Sequence, residues 1–389
     1  MPRTLLVTND FPPRTGGIQT WVHALAVRLP PGELAVYAPA WPGAAEFDAA
    51  FPHPVHRHPT SLMLPVPAVA RRAVELARHH GARTAWFGAA APLALLGPVL
   101  RRRAEVERVV ASTHGHEVGW ALLPGGRSAL RRIGEGSDAV TTVSSWTRGR
   151  LAAALGPDAA LEPLPGGVDV ARFRPDPAGR ARVRARLGLG TAPVVVCVSR
   201  LVPRKGQDAL VRALPALRAR VPGTRLLLVG DGPDAPRLRR LAAVAGLAVD
   251  DATRSPAAGP AAPVVLAGPV PEADLPAHLA AGDVFALPCR TRRAGLDVEG
   301  LGIALLEAAA CGLPVVAGRS GGAPETVREG VTGHVVHGRD PRALVDALAG
   351  LLTDPARAAA MGAAGRARTA AGWTWDARAA RLRTLLHHD

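Results

Sequence analysis

Residues 289–310 read CRTRRAGLDVEGLGIALLEAAA. Two carboxylates, Glu299 and Glu307, stand eight positions apart, with Gly300 and Gly302 bracketing Leu301 between them. Ile303 and the run after it (Ala304, Leu305, Leu306) continue as an apolar helix, so the glycines mark its start. The first amides of a helix have no partner within it, and glycine lets a ligand come close, which makes a seat for an anion. Glu307 falls in the first turns and Glu299 on the loop ahead, so both acids can face one small polar ligand. A surface loop with an acidic helix start is the plainer reading, since Glu favours that position anyway.

The composition limits the classes open to this stretch. A chain of 389 residues is long enough for two α/β domains with full cores. With 48% hydrophobic residues, 42 Gly and 37 Pro it reads as globular and turn-rich rather than disordered. Cys197, Cys289 and Cys311 show no C-x-x-C spacing, and an odd, sparse set of this kind implies a reduced, cytoplasmic protein without a disulfide framework. The opening MPRTLLVTND turns polar too soon for a signal peptide. The apolar run at 85–100 is broken by Pro92 and Pro98 and falls short of the roughly 20 residues a membrane span needs.

The formal charge is +15, yet only one of the 47 basic residues, Lys205, is a lysine. Drift toward Ala, Arg, Gly and Pro explains part of that charge. With 4% aromatics, no zinc spacing and no basic-aromatic interleaving, nucleic acid is not the expected partner. An anionic membrane surface suits so basic a chain better. Of the residues that drift has made rare, Asn9, Ile18 and Gln19 fall together, Lys205 and Gln207 together, and Ile303 in the stretch above, with only Ile133 elsewhere.

At the N-terminus a short apolar strand at 4–8 runs into NDFPPRTGGIQTW, whose prolines and Gly16-Gly17 force a loop before a helix begins. This is a phosphate-cradling outline, although a plain tight turn fits the glycines equally well. It is neither G-x-G-x-x-G nor a Walker loop, which counts against a dehydrogenase or a P-loop ATPase. Strands follow at 34–38, 84–88, 109–113 and 139–144 with helices between them, the alternation of an open parallel sheet. STHGHEVGW leaves one strand end, where His114 and His116 admit three readings: part of a metal site, a structural histidine, or a histidine over the cleft. Residues 61–83 form an amphipathic helix whose apolar face is flanked by Arg71, Arg72 and Arg78, either a sheet-covering helix or a membrane-surface contact.

Residues 161–179 are rich in Pro and Gly without periodicity and read as the crossing between domains. A second doubly wound set of strands follows at 193–199, 226–230, 264–268, 284–287, 314–317 and 333–336. Its first strand delivers VSRLVPRKGQDAL, with Arg200 at the strand end and Lys205 just ahead of a helix. A guanidinium fork and an ammonium point charge at a helix start suit a diphosphate. Residues 250–263 read as an inserted loop rich in Ala and Pro, and WTWDARAARLRTLL as a final amphipathic helix.

The Glu299/Glu307 pair resembles the E-x7-E signature of retaining glycosyltransferases with the GT-B fold. TNDFPPRTGGIQ, STHGHEVGW, SRLVPRKGQ and TRRAGLDVEGLGI narrow the resemblance to actinobacterial GDP-mannose-dependent mannosyltransferases that elongate phosphatidylinositol mannosides. The resemblance implies two Rossmann-like domains facing each other across a cleft: an acceptor-side domain at 1–168, a donor domain at 169–372, and a helix at 373–389 crossing back. It implies that Arg200 and Lys205 neutralise the leaving diphosphate, that Glu307 holds the ribose hydroxyls, and that Glu299 lies by the sugar. The backbone of Leu301, Gly302 and Ile303 would lie against sugar and phosphates, and Val270 would meet the base. Gly16 and Gly17 would face the diphosphate or acceptor, and His114 the substrate hydroxyls. The implied reaction moves α-mannose from GDP-mannose to phosphatidylinositol monomannoside with retention, by a protein peripherally bound to the inner face of the cell membrane. No cofactor, metal or obligate protein partner is expected, although Asp297-Val298-Glu299 imitates a D-x-D metal motif. The alternatives are another lipid or soluble glycan acceptor, or a nucleotide-sugar-binding protein without turnover.

Overall fold

A computed structural model describes residues 3–252 and 262–387. The chain divides into two compact units, one of Met1–Gly167 with Trp375–Asp389, the other of Val168–Thr374.

The first unit is built on seven parallel strands: β1 (Arg3–Val7), β2 (Leu34–Pro39), β3 (Val55–His58), β4 (Ala82–Phe87), β5 (Arg108–Thr113), β6 (Ala139–Thr142) and β7 (Leu161–Pro163). Their order is β3-β2-β1-β4-β5-β6-β7. The chain winds outward from β1 in one direction, then restarts at β4 and winds in the other. The crevice at the carboxyl ends of β1 and β4 is therefore the topological switch point, where a doubly wound sheet exposes loops to a ligand. Central strands are covered on both faces and read as unbroken apolar runs, as in Leu5, Leu6 and Val7, all fully buried. The final helix, Trp375–His387, belongs to this unit: Leu382 and Leu386 are buried, and the Leu386 carbonyl accepts from Thr84 Oγ1 at 3.0 Å.

The second unit repeats the plan with β8 (Val194–Val198), β9 (Arg225–Val229), β10 (Val249–Asp251), β11 (Val264–Gly268), β12 (Val284–Leu287), β13 (Val315–Gly318) and β14 (Gly333–Val336). Its order is β10-β11-β9-β8-β12-β13-β14, again all parallel, and its switch point lies between β8 and β12. Each unit has its own apolar core.

Three strands escape the sequence patterns. β3 carries two histidines and an arginine, β7 spans three residues ending in Pro163, and β10 is Val-Asp-Asp. All three are edge strands, half solvated and too short for periodicity to register. The expected inserted loop at 250–263 therefore begins inside β10, and its stretch 253–261 lies outside the described residues. The expected crossing at 161–179 likewise contains β7 and the start of the helix Pro177–Arg186, which Asp176 caps through the Gly179 amide.

Candidate active site

In the second unit the site grows from the carboxyl ends of β8 and β12. After β8 the chain turns past Ser199 and the exposed Arg200, runs through a short 3-10 turn (Pro203–Lys205), and enters the helix Gln207–Arg220. Gln207 is fully buried and pins this turn from inside: its amide donates to Ser199 Oγ at 2.8 Å and to the Arg200 carbonyl at 3.0 Å. Gly206 adopts φ +84, and a Cβ there would meet the Pro288 carbonyl oxygen at 2.1 Å, so the turn packs backbone against backbone on the end of β12.

After β12 the chain passes Cys289 and Arg290 and returns to the same turn from the other side. Lys205 Nζ stands 2.6 Å from Glu299 Oε2, both side chains mostly buried. Arg204 reaches Asp297 at 3.4 Å, and Arg292 reaches the same carboxylate at 3.3 Å. Ser320 Oγ accepts from the Glu299 amide at 3.3 Å, and the Gly322 amide donates to the Glu299 carbonyl at 3.1 Å. The SGG turn after β13 thus fixes Glu299 by its backbone, leaving its carboxylate directed at the lysine. Gly302 caps the helix Ile303–Ala310 in the left-handed region at φ +85, as the sequence spacing requires, with Leu301 buried and Ile303 at the first helical position.

Glu307 lies one turn into that helix. Burial pushes its carboxyl up to about 7; Arg172 and Lys205 pull it down and Glu272 adds to the rise. Val270, two residues beyond the end of β11, is partly buried and packs against the core of the second unit. Arg172 pairs with Glu272 across a hundred residues of sequence, a contact no local motif could announce.

In the first unit, Gly16 and Gly17 are exposed at the start of the helix Gly17–Ala26, and a Cβ on Gly17 would meet nothing within 4 Å. Trp21 of that helix meets the His114 ring edge-on at 4.8 Å between centroids, so the loops after β1 and β5 come together at the switch point. His114 Nε2 is 2.7 Å from the Gly88 carbonyl oxygen, which can only accept; Nε2 therefore carries the proton and Nδ1 the lone pair. Burial holds its pKa below the usual histidine value, with the nearby carboxylates of Glu117 and Asp10 opposing that fall. Fully buried Glu117 accepts from the His114 and Gly115 amides at 3.0 and 2.9 Å and so shapes the loop. Sequence reading passes Glu117 by, because a Glu after H-G-H carries no signature of a backbone clamp.

Two family profiles match this chain: "Glycosyltransferase Family 4" over residues 15–172 and "Glycosyl transferases group 1" over residues 192–354. It belongs to the group 1 glycosyltransferases. A GDP-mannose-dependent α-(1-6)-phosphatidylinositol monomannoside mannosyltransferase of Mycolicibacterium smegmatis is 59% identical over 98% of this chain and 97% of its own. A Corynebacterium glutamicum protein named for the monoacylated form of that acceptor is 46% identical over 100% and 98%. Among solved structures, Anabaena HepE in complex with UDP and glucose superposes with a TM-score of 0.80 at 20% identity over the whole of both chains. Sucrose-phosphate synthase from Thermosynechococcus elongatus gives 0.78 at 20% identity, covering 99% and 98%. The fold of this glycosyltransferase is thus GT-B, with its basic turn and acidic loop at the switch point of the second unit.

Proposed function

We infer that this glycosyltransferase moves α-mannose from GDP-mannose to phosphatidylinositol monomannoside, retaining the anomeric configuration. The observation that carries this reading is the 59% identity with the Mycolicibacterium smegmatis enzyme over 98% of this chain, and the Lys205–Glu299 contact supports it. Arg200 and Lys205 meet the diphosphate as it leaves, supplying preorganised positive charge where negative charge develops. Glu307 accepts from the ribose hydroxyls. The amides from Leu301 to Ile303, at a helix start, take sugar and phosphate oxygens. His114, with its lone pair on Nδ1, accepts from a substrate hydroxyl.

A divalent ion is not required in this reading. Asp297 is already engaged by two arginines and Glu299 by Lys205, so the D-x-D look-alike offers no uncommitted pair of carboxylates. Arg200 and Lys205 do the charge work an ion does in other transferases.

The acceptor is a lipid, and the first unit carries a surface suited to reaching it. No helix among the described residues is long and apolar enough to cross a membrane. A groove of about 1020 Å³ runs between the helices Pro67–His80 and Gly97–Ala104, with Val66, Val74 and Val99 in its lining. Arg71, Arg78, Arg102, Arg103 and Arg132 rim it against only Glu75 and Glu135. Leu62 and Leu64, just ahead, are about half exposed, at 55% and 48%. Apolar residues beside clustered guanidinium groups match a cytoplasmic, peripheral seat on anionic headgroups.

The test is transfer itself. The purified protein is given labelled GDP-mannose, UDP-glucose or UDP-N-acetylglucosamine with phosphatidylinositol or its monomannoside, and lipid products are read by mass. One hexose added to the monomannoside, from GDP-mannose alone, is the expected result. Donor binding without a lipid product would reject this acceptor.

A further inference from the structure

The structure assigns Arg290 and Asp208 as positioning residues that bolt the root of the acidic loop to the basic turn, keeping Glu299 and Lys205 in register. The assignment rests on the reading of those two residues as donor-handling groups. Asp208, the second residue of the helix Gln207–Arg220, is 1% exposed. Arg290 Nη2 lies 2.7 Å from its Oδ1 and donates to its Oδ2 at 2.9 Å, and the Arg290 amide donates to the Arg204 carbonyl at 2.8 Å. One residue therefore grips the 204–208 turn twice, by side chain and by backbone. Holding the Asp208 carboxylate are two more arginines, Arg212 at 2.8 Å and Arg237 at 3.0 Å, and the three differ in exposure. Arg290 is 15% exposed, Arg237 36% and Arg212 53%. Only Arg290 belongs to the loop that carries Glu299.

The backbone around this root has little freedom to adjust. A Cβ on Gly318 would stand 1.9 Å from the Cys289 carbonyl oxygen, and one on Gly338 would stand 2.7 Å from it. With Gly206 against Pro288, the exit of β12 is wedged among three glycine backbones. Beyond it, Thr291 Oγ1 lies 3.1 Å from Ser320 Oγ, and the Arg292 amide donates to the Asp297 carbonyl at 2.9 Å, before Asp297 and Glu299 meet Arg204 and Lys205. The Arg290–Asp208 pair sets the direction in which the loop departs, and the Arg292–Asp297 bridge passes a displacement at the root on to the residues that meet Arg204 and Lys205.

The experiment compares Arg290→Gln with Arg212→Gln, which removes an equally short ion pair from the same aspartate but lies off the loop. Arg290→Gln is expected to lower kcat by about 10- to 100-fold, the scale of a misplacement near 1 Å, with Kd for GDP changed less than about threefold. Arg212→Gln is expected to keep parental kcat. Amide hydrogen exchange over residues 290–302, which needs no knowledge of the substrate, is expected to speed up in the first variant and not in the second. If Arg290→Gln does not fold, Arg290→Lys keeps the charge and the backbone bond, alters only the guanidinium contact with Asp208, and is expected to show the same pattern at smaller amplitude. Equal kcat and equal exchange in both variants would overturn the assignment. So would a loss of GDP binding matching the loss of kcat/KM, which would make Arg290 a donor ligand instead. Absence of mannosyl transfer by the parent would reject the functional reading alone, and the exchange rates would still decide this one.

Discussion

Lys205 Nζ and Glu299 Oε2 are 2.6 Å apart, so the ammonium read as diphosphate-binding is already paired with the carboxylate read as sugar-facing. The pair stores both charges in a largely dry place without leaving either bare, which would be costly. A diphosphate arriving there competes with Glu299 for the lysine. Glu299→Gln should therefore tighten GDP binding while lowering kcat, a split that calorimetry and steady-state kinetics would measure side by side. Weaker GDP binding in this variant would contradict the shared role.

Lys205→Gln should have the opposite effect on GDP, weakening it, and should cut kcat by about 100- to 1,000-fold, the usual scale for losing one preorganised charge. Lys205→Arg should restore only part, because a planar fork does not fit the place of a point charge. Full activity in Lys205→Arg would show that charge alone matters here.

Glu307 makes donor binding pH-dependent. Its carboxyl is raised to about 7, so the ligand-free protein holds that proton at pH values where the unfolded chain, near 4.5, has lost it. Its contribution to stability is present below pH 4.5 and is lost as pH rises through 7. The carboxylate is the stronger acceptor for ribose hydroxyls, so GDP affinity should rise from pH 6 to about pH 8. Glu307→Gln should flatten that slope in a titration of Kd against pH.

The arginine-rimmed groove predicts salt-sensitive binding to anionic vesicles. Arg71→Glu with Arg78→Glu should weaken sedimentation with phosphatidylinositol-containing liposomes at least tenfold, at about 1 kcal/mol for each basic residue near the surface. Added salt should weaken the parent as well. Vesicle binding unchanged in the double variant would move the membrane contact elsewhere. On the same preparations, EDTA should leave transfer intact, and a strict Mg²⁺ requirement would refute the metal-free reading.

Gly206 predicts a stability cost of its own. At φ +84 and hard against Pro288, Gly206→Ala should destabilise the second unit by about 1–3 kcal/mol, measured by denaturant unfolding. An unchanged midpoint would mean the turn has room to give.

Much of the architecture was legible because doubly wound sheets write their central strands as apolar runs and their switch points as glycine or basic turns. Lys205 stood out by rarity, and Gly302 by its place ahead of Ile303. Edge strands β3, β7 and β10 were hidden by their polarity. Pairings were hidden for another reason: Arg290 and Asp208 lie 82 positions apart, and Arg172 and Glu272 lie 100 apart. Sequence shows each partner as one more arginine in an arginine-rich chain, and only the fold says which carboxylate each one serves.

The placement of the helix Trp375–His387 has a consequence for synthesis. The second unit is one uninterrupted stretch of chain, whereas the first waits for a helix encoded after it. On the ribosome, Val168–Thr374 emerges in full while β4 and β5 still lack the cover of Leu382 and Leu386. The unit translated first is completed last, so a stop codon ahead of Leu382 would leave Val168–Thr374 whole and the first unit with an open core.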